Sequence, residues 1–267
     1  MHRSLTLFGP EHEQELMIDR DGIHAVEQFV LAKYYLTTSV YRHRVRLITD
    51  QMLIRAIRLG IDDDGLENVR RLYSFDGSSG FYANYLAWDD ARFVEAFGGS
   101  PPPGPLCGEL LARLRQRQLL KRVFQSPIDE FGDLGEYLLK LPEKENASLR
   151  TTLETSIAGV LPKSDSGAVD PRLIIVHVYT IRSVKVSSRN DEAGIMVFRD
   201  QNPQPFEQVS ALFRSINEGY TEGYVEVYAP VDWFTETEKK KVRRDLERPI
   251  RACIEAMKPT AAMKGET

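Results

Sequence analysis

From Gly22 to Gly60 the chain reads GIHAVEQFVLAKYYLTTSVYRHRVRLITDQMLIRAIRLG, with no proline to interrupt it. Val26, Phe29 and Val30, then Leu36 and Val40, then Ile48, Met52 and Ala56 recur at steps of three and four. That spacing gathers apolar side chains on one side of an α-helix. Gly60 is a natural stop, because glycine tolerates the turn that ends helices. The segment predicts one continuous helix of about ten turns at 3.6 residues each. A chain built round it is mainly α.

Shorter helical stretches follow at 65–74, 79–87 and 89–97, before GGSPPPGP at 98–105 forces a rigid loop. A helix near 106–118, an extended piece over Leu119–Phe124, and helices near 128–140 and 144–160 complete this part. The text then changes. RLIIVHVYTIRSVKV from Arg172 is rich in β-branched and aromatic residues and reads as a strand, AGIMVFRD as a second and GYVEVYAP as a third. FEQVSALFRSINE, between the last two, reads as a helix. Thr235 and Glu238 at capping-box spacing open an amphipathic helix that ends near Met257. The expected organisation is an all-helical region over 1–161, a smaller α+β lobe over 170–258, and a loose tail over 259–267.

Apolar residues make up 42% and charged residues 28%, which excludes a disordered or fibrous chain. No run of 18 apolar residues occurs, and MHRSLTLFGPEHEQEL lacks a signal-like apolar core, so no membrane association is expected. Cys107 and Cys253 stand far apart without metal spacing, which suits a reducing, cytoplasmic setting. A net charge of −4 excludes a polycation, so anion binding must be local. Two local excesses exist. Residues 111–122 carry Arg113, Arg115, Arg117, Lys121 and Arg122 without an acid. Residues 40–58 carry Arg42, Arg44, Arg46, Arg55 and Arg58 against Asp50 alone. Such clusters are solvated helix faces or the border of a polyanion site.

On a continuous helix Lys33, Thr37, Tyr41 and Arg44 fall on one stripe at four-, four- and three-residue steps. A cation, a hydroxyl, a phenol and a second cation suit a ligand with phosphates and a flat or sugar-like body. The same stripe is equally the pattern of a helix–helix interface with snorkelling cations. His24, at the helix start, reads as a structural hydrogen-bonding residue and His43 as a surface one. HExxH, GxSxG, GxxxxGK[ST] and GxGxxG are absent, so no catalytic residue and no metal ligand is assigned. GSSG at 77–80 reads as a turn, and Asp62, Asp63 and Asp64 as a solvated helix junction.

The string at 22–46 resembles a signature of HD-domain phosphohydrolases related to deoxynucleoside triphosphate triphosphohydrolases. There, G-[IL]-H-A-[LIV]-E leads to A-R-Y and then V-Y-x-H-[KR]. YLAWDDARFVEAF at 85–97, RQRQLLKRVF at 115–124 and the lobe ending GYVEVY resemble later elements of that family. The resemblance implies that Tyr41 packs on a deoxyribose and that Lys33 stands where the family has an arginine directed at the triphosphate. Lys33 lacks the bidentate fork. Thr37 replaces a larger histidine or tyrosine on the same substrate wall. Arg117, Leu119 and Lys121 match a segment that touches an activating nucleotide at a subunit interface, and Arg44 matches a basic residue linked to it.

The family's divalent metal (Mg, Mn, Co or Fe) is held by His, an adjacent His-Asp pair and a later Asp, all before the matching segment. This sequence contains no His-Asp dipeptide. The resemblance therefore implies the C-terminal portion of an enzyme that cleaves dNTP into deoxynucleoside and triphosphate, holding no metal and inactive alone. Its implied partners are a dNTP or related nucleotide, and either a second copy or a chain carrying the HD half. The alternative is a non-catalytic assembly or regulatory module. Nucleic-acid binding through Arg113–Arg122 ranks third, since no aromatic platform accompanies that patch.

Overall fold

A computed structural model describes residues 4–41, 43–98, 105–162, 168–182, 195–199, 202–213, 221–231 and 236–257. The chain is mainly helical with a smaller sheet-containing part, as its text implies. It divides into two compact units, Met1–His43 with Thr180–Gly223, and Arg44–Tyr179 with Tyr224–Thr267. The grouping interleaves segments from both ends, unlike a single cut between 161 and 170. Strands β4 (Ile175–Arg182) and β7 (Thr221–Ala229) each carry the chain across that boundary.

The first unit opens with a hairpin, β1 (Leu5–Phe8) against β2 (Glu15–Asp19), where helix alone was expected. Its strands are short and mostly exposed, so no alternation marks them in the sequence. Gly9 has φ of +119°, and a Cβ there would stand 2.6 Å from the Glu13 carbonyl oxygen, so the turn depends on glycine. β2 pairs in parallel with β5 (Met196–Arg199), which pairs with β6 (Asn202–Pro205) at the sheet's edge. An edge tolerates the two prolines of β6 because it leaves one row of backbone groups unpaired. Helix α1 (Ile23–Leu36) sets Val26 and Val30 against Val197, Phe206 and Phe213. Of the helix expected over 206–218, the structure forms Phe206–Val209 and, after a break at Ser210, a further helical stretch at 211–213; residues 214–218 lie outside the described residues.

The single helix expected from Gly22 to Gly60 is not formed. After α1 a π-helical turn spans Thr37–Tyr41, and α2 begins anew at Arg44 and runs to Asp62. The break falls on TTSV. Thr and Ser offer the backbone competing hydrogen bonds, and β-branched side chains crowd the preceding turn.

The second unit is layered. Its three-stranded sheet has the order β3-β7-β4, with β3 over Lys121–Pro127. In β7, Val225, Val227 and Ala229 face one apolar cluster while Tyr228 faces another. The first cluster is closed by α7 (Leu134–Lys140), α8 (Ala147–Val160) and the C-terminal helix over Glu236–Glu255. The second is closed by α2, α3 (Glu67–Tyr73), α5 (Asp90–Phe97) and α6 (Leu106–Arg115). A sheet covered on both faces buries every strand residue type, which is why VEVYA can be buried throughout. The register shifts between Arg122 and Phe124, opposite Tyr228 and Val227. Val123 is the extra residue of this bulge, so Val123 and Phe124 join the same cluster. Thr235 of the capping box and the tail over 259–267 lie outside the described residues.

Candidate functional site

The second unit contains a cleft of about 740 Å³ between α2, α3, α5 and α6. Its walls are aromatic and aliphatic: Tyr73, Tyr85 and Trp88 with Leu53, Phe93 and Leu119. Ser78 caps α4 (Ser79–Leu86) by accepting the Phe81 N–H at 3.0 Å, so GSSG is a helix start that positions Tyr85. Asp89 caps α5 by accepting the Arg92 N–H at 2.7 Å. The capped helix swings the Arg92 guanidinium over Trp88, 4.5 Å from the ring centre. Trp88 stacks on Phe97 at 5.6 Å, and Phe93 meets Tyr73 edge-on at 6.3 Å. Burial, then the charges of Tyr85 and Asp90, pushes the Tyr73 phenol above its ordinary value, so it is a neutral donor.

Arg115 and Arg117 bring positive charge to this cleft. Arg117 is the only non-glycine with positive φ among the described residues, at +57°. The cause is the way α6 ends. The Arg117 N–H bonds to the Leu114 carbonyl at 3.1 Å and the Gln118 N–H to the Arg113 carbonyl at 2.8 Å, the paired bonds of a Schellman stop. The left-handed position of that motif is usually glycine, and a side chain there costs about 1–2 kcal/mol. Here it holds an arginine, beside an aromatic cleft.

The residues singled out in the sequence are thus dispersed. Arg117 and Leu119 line the cleft, and Lys121 opens β3 two residues further on. Arg44 is exposed at the start of α2, adjacent to Val45, which lines the cleft. Lys33 is exposed on α1, while Thr37 and Tyr41 bound the π-helical turn. The common stripe required an unbroken α-helix, so the α-helical period no longer puts these three on one face with Arg44.

Charge partners, some one helical turn away and some from distant segments, thin the two basic clusters. Arg113 pairs with Glu109 at 3.0 Å, and Arg122 with Glu226 at 2.5 Å. Glu226 is buried in β7 and also accepts from the Tyr228 hydroxyl at 2.6 Å. Arg46 meets Asp50 at 3.7 Å and Arg55 is held by Glu154, whereas Arg42 lies outside the described residues. Asp64 is no solvated junction residue. Its carboxylate accepts the Leu106 and Cys107 N–H groups at 3.3 and 2.8 Å and so caps α6. Burial and that carboxylate push the Cys107 thiol up to about 11, which leaves no thiolate for chemistry at neutral pH. His24 bonds Glu27 at 2.9 Å, the structural role its position suggests.

Among the described residues no group of three or more His, Cys, Asp or Glu side chains is arranged to hold a metal ion. Among the same residues no helix is long and apolar enough to cross a membrane.

No curated protein matches the chain in sequence. Among solved structures it is similar to a hypothetical protein from Aquifex aeolicus, with 16% identity and a TM-score of 0.53 over 91% of this chain and 49% of that one. It is also similar to a phosphohydrolase from Bacteroides thetaiotaomicron, with 14% identity and a TM-score of 0.52 over 84% of this chain and 53% of that one. The chain spans about half the length of these proteins, and the likeness is one of fold. A family model described as an HD associated region matches residues 10–250. That match takes in both compact units and the aromatic cleft, and the chain belongs to the family of HD associated regions.

Proposed function

We propose that the chain is the nucleotide-binding and regulatory part of an HD-type phosphohydrolase that converts dNTP to deoxynucleoside and triphosphate. The observation that carries this is Arg117, held in a glycine conformation on the wall of an aromatic cleft. Local strain of that kind persists where surrounding structure dictates it, and it clusters at ligand sites. Tyr85 and Trp88 suit a base or sugar face, while Arg115 and Arg117 suit phosphate oxygens. In this reading Arg117, Leu119, Lys121 and Arg44 serve a regulatory nucleotide, and Lys33, Thr37 and Tyr41 form the substrate wall. The structural neighbour named a phosphohydrolase shares the fold that this reading requires.

Equilibrium dialysis with dGTP tests the cleft. Arg117→Ala is expected to weaken binding about tenfold, the effect of one charge-assisted phosphate contact. Equal affinity in wild type and variant rejects the cleft as the site. Incubating the chain with all four dNTPs and magnesium, manganese or cobalt is expected to release no deoxynucleoside. Release that disappears in Tyr41→Ala would show that the chain is active by itself.

A second reading, an assembly module, rests on the first unit. Phe29, Tyr35, Leu36 and Val40 are exposed on α1 and the turn after it. Exposed apolar side chains gathered in one short stretch of chain suit an interface. Light scattering on the eluted protein decides, since a monodisperse monomer at all concentrations removes this reading.

A further inference from the structure

A second cleft of the same unit, about 700 Å³, lies between α2, α8 and residues 168–172. It differs from the aromatic cleft in the balance of its lining. Among the described residues no aromatic side chain lines it, and four arginines do: Arg55, Arg58, Arg150 and Arg172, against the carboxylates of Asp63, Glu154 and Asp170.

These charges are not equally engaged. Arg55 binds Glu154 through both ends of its guanidinium, with Arg55 Nη1 to Glu154 Oε2 at 3.0 Å, and donates to the Arg172 carbonyl at 3.2 Å. Glu154, 3% exposed, also accepts the Val176 N–H at 3.3 Å, so this pair knits α2 and α8 to β4. Arg172 is bidentate on Asp170, at 3.1 and 2.8 Å. Thr151 and Thr155 spend their hydroxyl protons on carbonyls of α8. Arg58 and Arg150 have no hydrogen bond or ion pair among the described residues, yet they line the same cleft. Burial, then the Arg58 charge, pushes the Arg150 guanidinium below its ordinary value. Two adjacent guanidiniums repel unless an anion lies between them, and each presents a fork of donors suited to phosphate oxygens.

We propose that Arg58 and Arg150 form a binding site for a phosphate-bearing anion, distinct from the aromatic cleft. Without an aromatic wall the site reads phosphate and not base. Free polyphosphate and the phosphate chain of a nucleotide share that chemistry. Asp63, exposed on the same wall, limits the positive charge and so tunes the affinity. The site does not depend on the reading of the aromatic cleft.

Calorimetric titration of the whole chain with inorganic tripolyphosphate tests it. Binding is expected, weakening as salt rises, and about tenfold weaker in Arg58→Gln and in Arg150→Gln. Arg58 is exposed, so its variant folds; Asp63→Asn is expected to tighten binding, a gain that misfolding cannot mimic. A parallel titration with dGTP in the Arg117→Ala background separates the sources. Affinity for dGTP equal to that for tripolyphosphate supports a site for phosphate alone, and tighter dGTP binding lost in Arg58→Gln supports a nucleotide's phosphates. No binding of either probe overturns the proposal. So does tripolyphosphate binding that is lost in Arg117→Ala and unchanged in Arg58→Gln and Arg150→Gln.

Discussion

The two compact units solve the burial problem at different scales. The second packs helices on both faces of a sheet and fully excludes Met52, Leu110, Ile157, Ile250 and Ile254 from water. The first, among the described residues, closes over a smaller cluster from α1, β5 and the Phe206–Phe213 segment, and leaves Leu16 65% and Tyr35 63% exposed. The difference teaches where rigidity and where surface are available. A doubly covered sheet can hold clefts in defined geometry, whereas a small core with exposed apolar neighbours offers surface for partners.

Five substitutions would break or sharpen this contrast. Glu154→Ala leaves Arg55 desolvated without its carboxylate and strands the Val176 N–H. Urea denaturation should show a loss of about 4 kcal/mol, because breaking one side of a buried pair exposes the full desolvation term. Unchanged stability would mean that the second unit does not depend on its polar links. Next come Ile250→Ala in the second unit and Phe206→Ala in the first, each removing a fully buried side chain. Each should cost about 3 kcal/mol, but amide exchange is expected to rise across the sheet in one case and in α1 and β5 in the other. Uniform acceleration in both variants would dissolve the distinction.

Ser210→Ala follows at about 2 kcal/mol, since the buried hydroxyl donates to Glu27 at 2.5 Å and accepts the Phe213 N–H at 3.1 Å. This link is also pH-dependent. Burial pushes the Glu27 carboxyl up, but the Ser210 and His24 hydrogen bonds outweigh it and hold the group below its ordinary value. A depressed carboxyl contributes stability above its unfolded-state pKa and loses it as pH falls through the folded one. The wild type should therefore lose its advantage over Ser210→Ala as the solution is acidified below about pH 4. An advantage that grows in acid would reverse the assignment. The smallest effect is Arg117→Gly. Relief of the left-handed strain exceeds the entropy that glycine adds to the unfolded chain, so stability should rise by about 0.5 kcal/mol while dGTP binding weakens. A variant that is both less stable and equally competent in binding would remove the link between strain and site.

Much of the architecture was legible. The strands RLIIVHVY and GYVEVY and the mainly α class follow from periodicity and β-branched content, which act within a few residues, whereas α2 runs past the stop expected at Gly60 to Asp62. The hairpin at Leu5–Asp19 was not, because neither strand buries an alternating face. Nor was the break at Thr37–Tyr41, where apolar spacing argued for continuity and local hydroxyl chemistry argued against it. Of the candidate site, the sequence showed Arg117 and Leu119 as members of a basic segment but was silent on Tyr73, Tyr85 and Trp88. Tyr73 on α3, Tyr85 on α4 and Trp88 in the link from α4 to α5 share no spacing. Asp89 and Ser78 were the available signals, as caps that place two of those helices.

By itself, then, the sequence determined the mainly α class, the strands of RLIIVHVY and GYVEVY, and the charge of each segment. Those properties arise between neighbours along the chain. Tertiary structure alone decided which charges remain. Glu226 and Glu154 reach Arg122 and Arg55 from 104 and 99 residues away, so basic runs that look alike in the text differ in the fold. Arg58 and Arg150 became a pair only because α2 and α8 meet in one cleft. Coulomb and hydrogen-bond energies depend on distance in space, and the order of residues does not set that distance until the sheet and its two helical layers have closed.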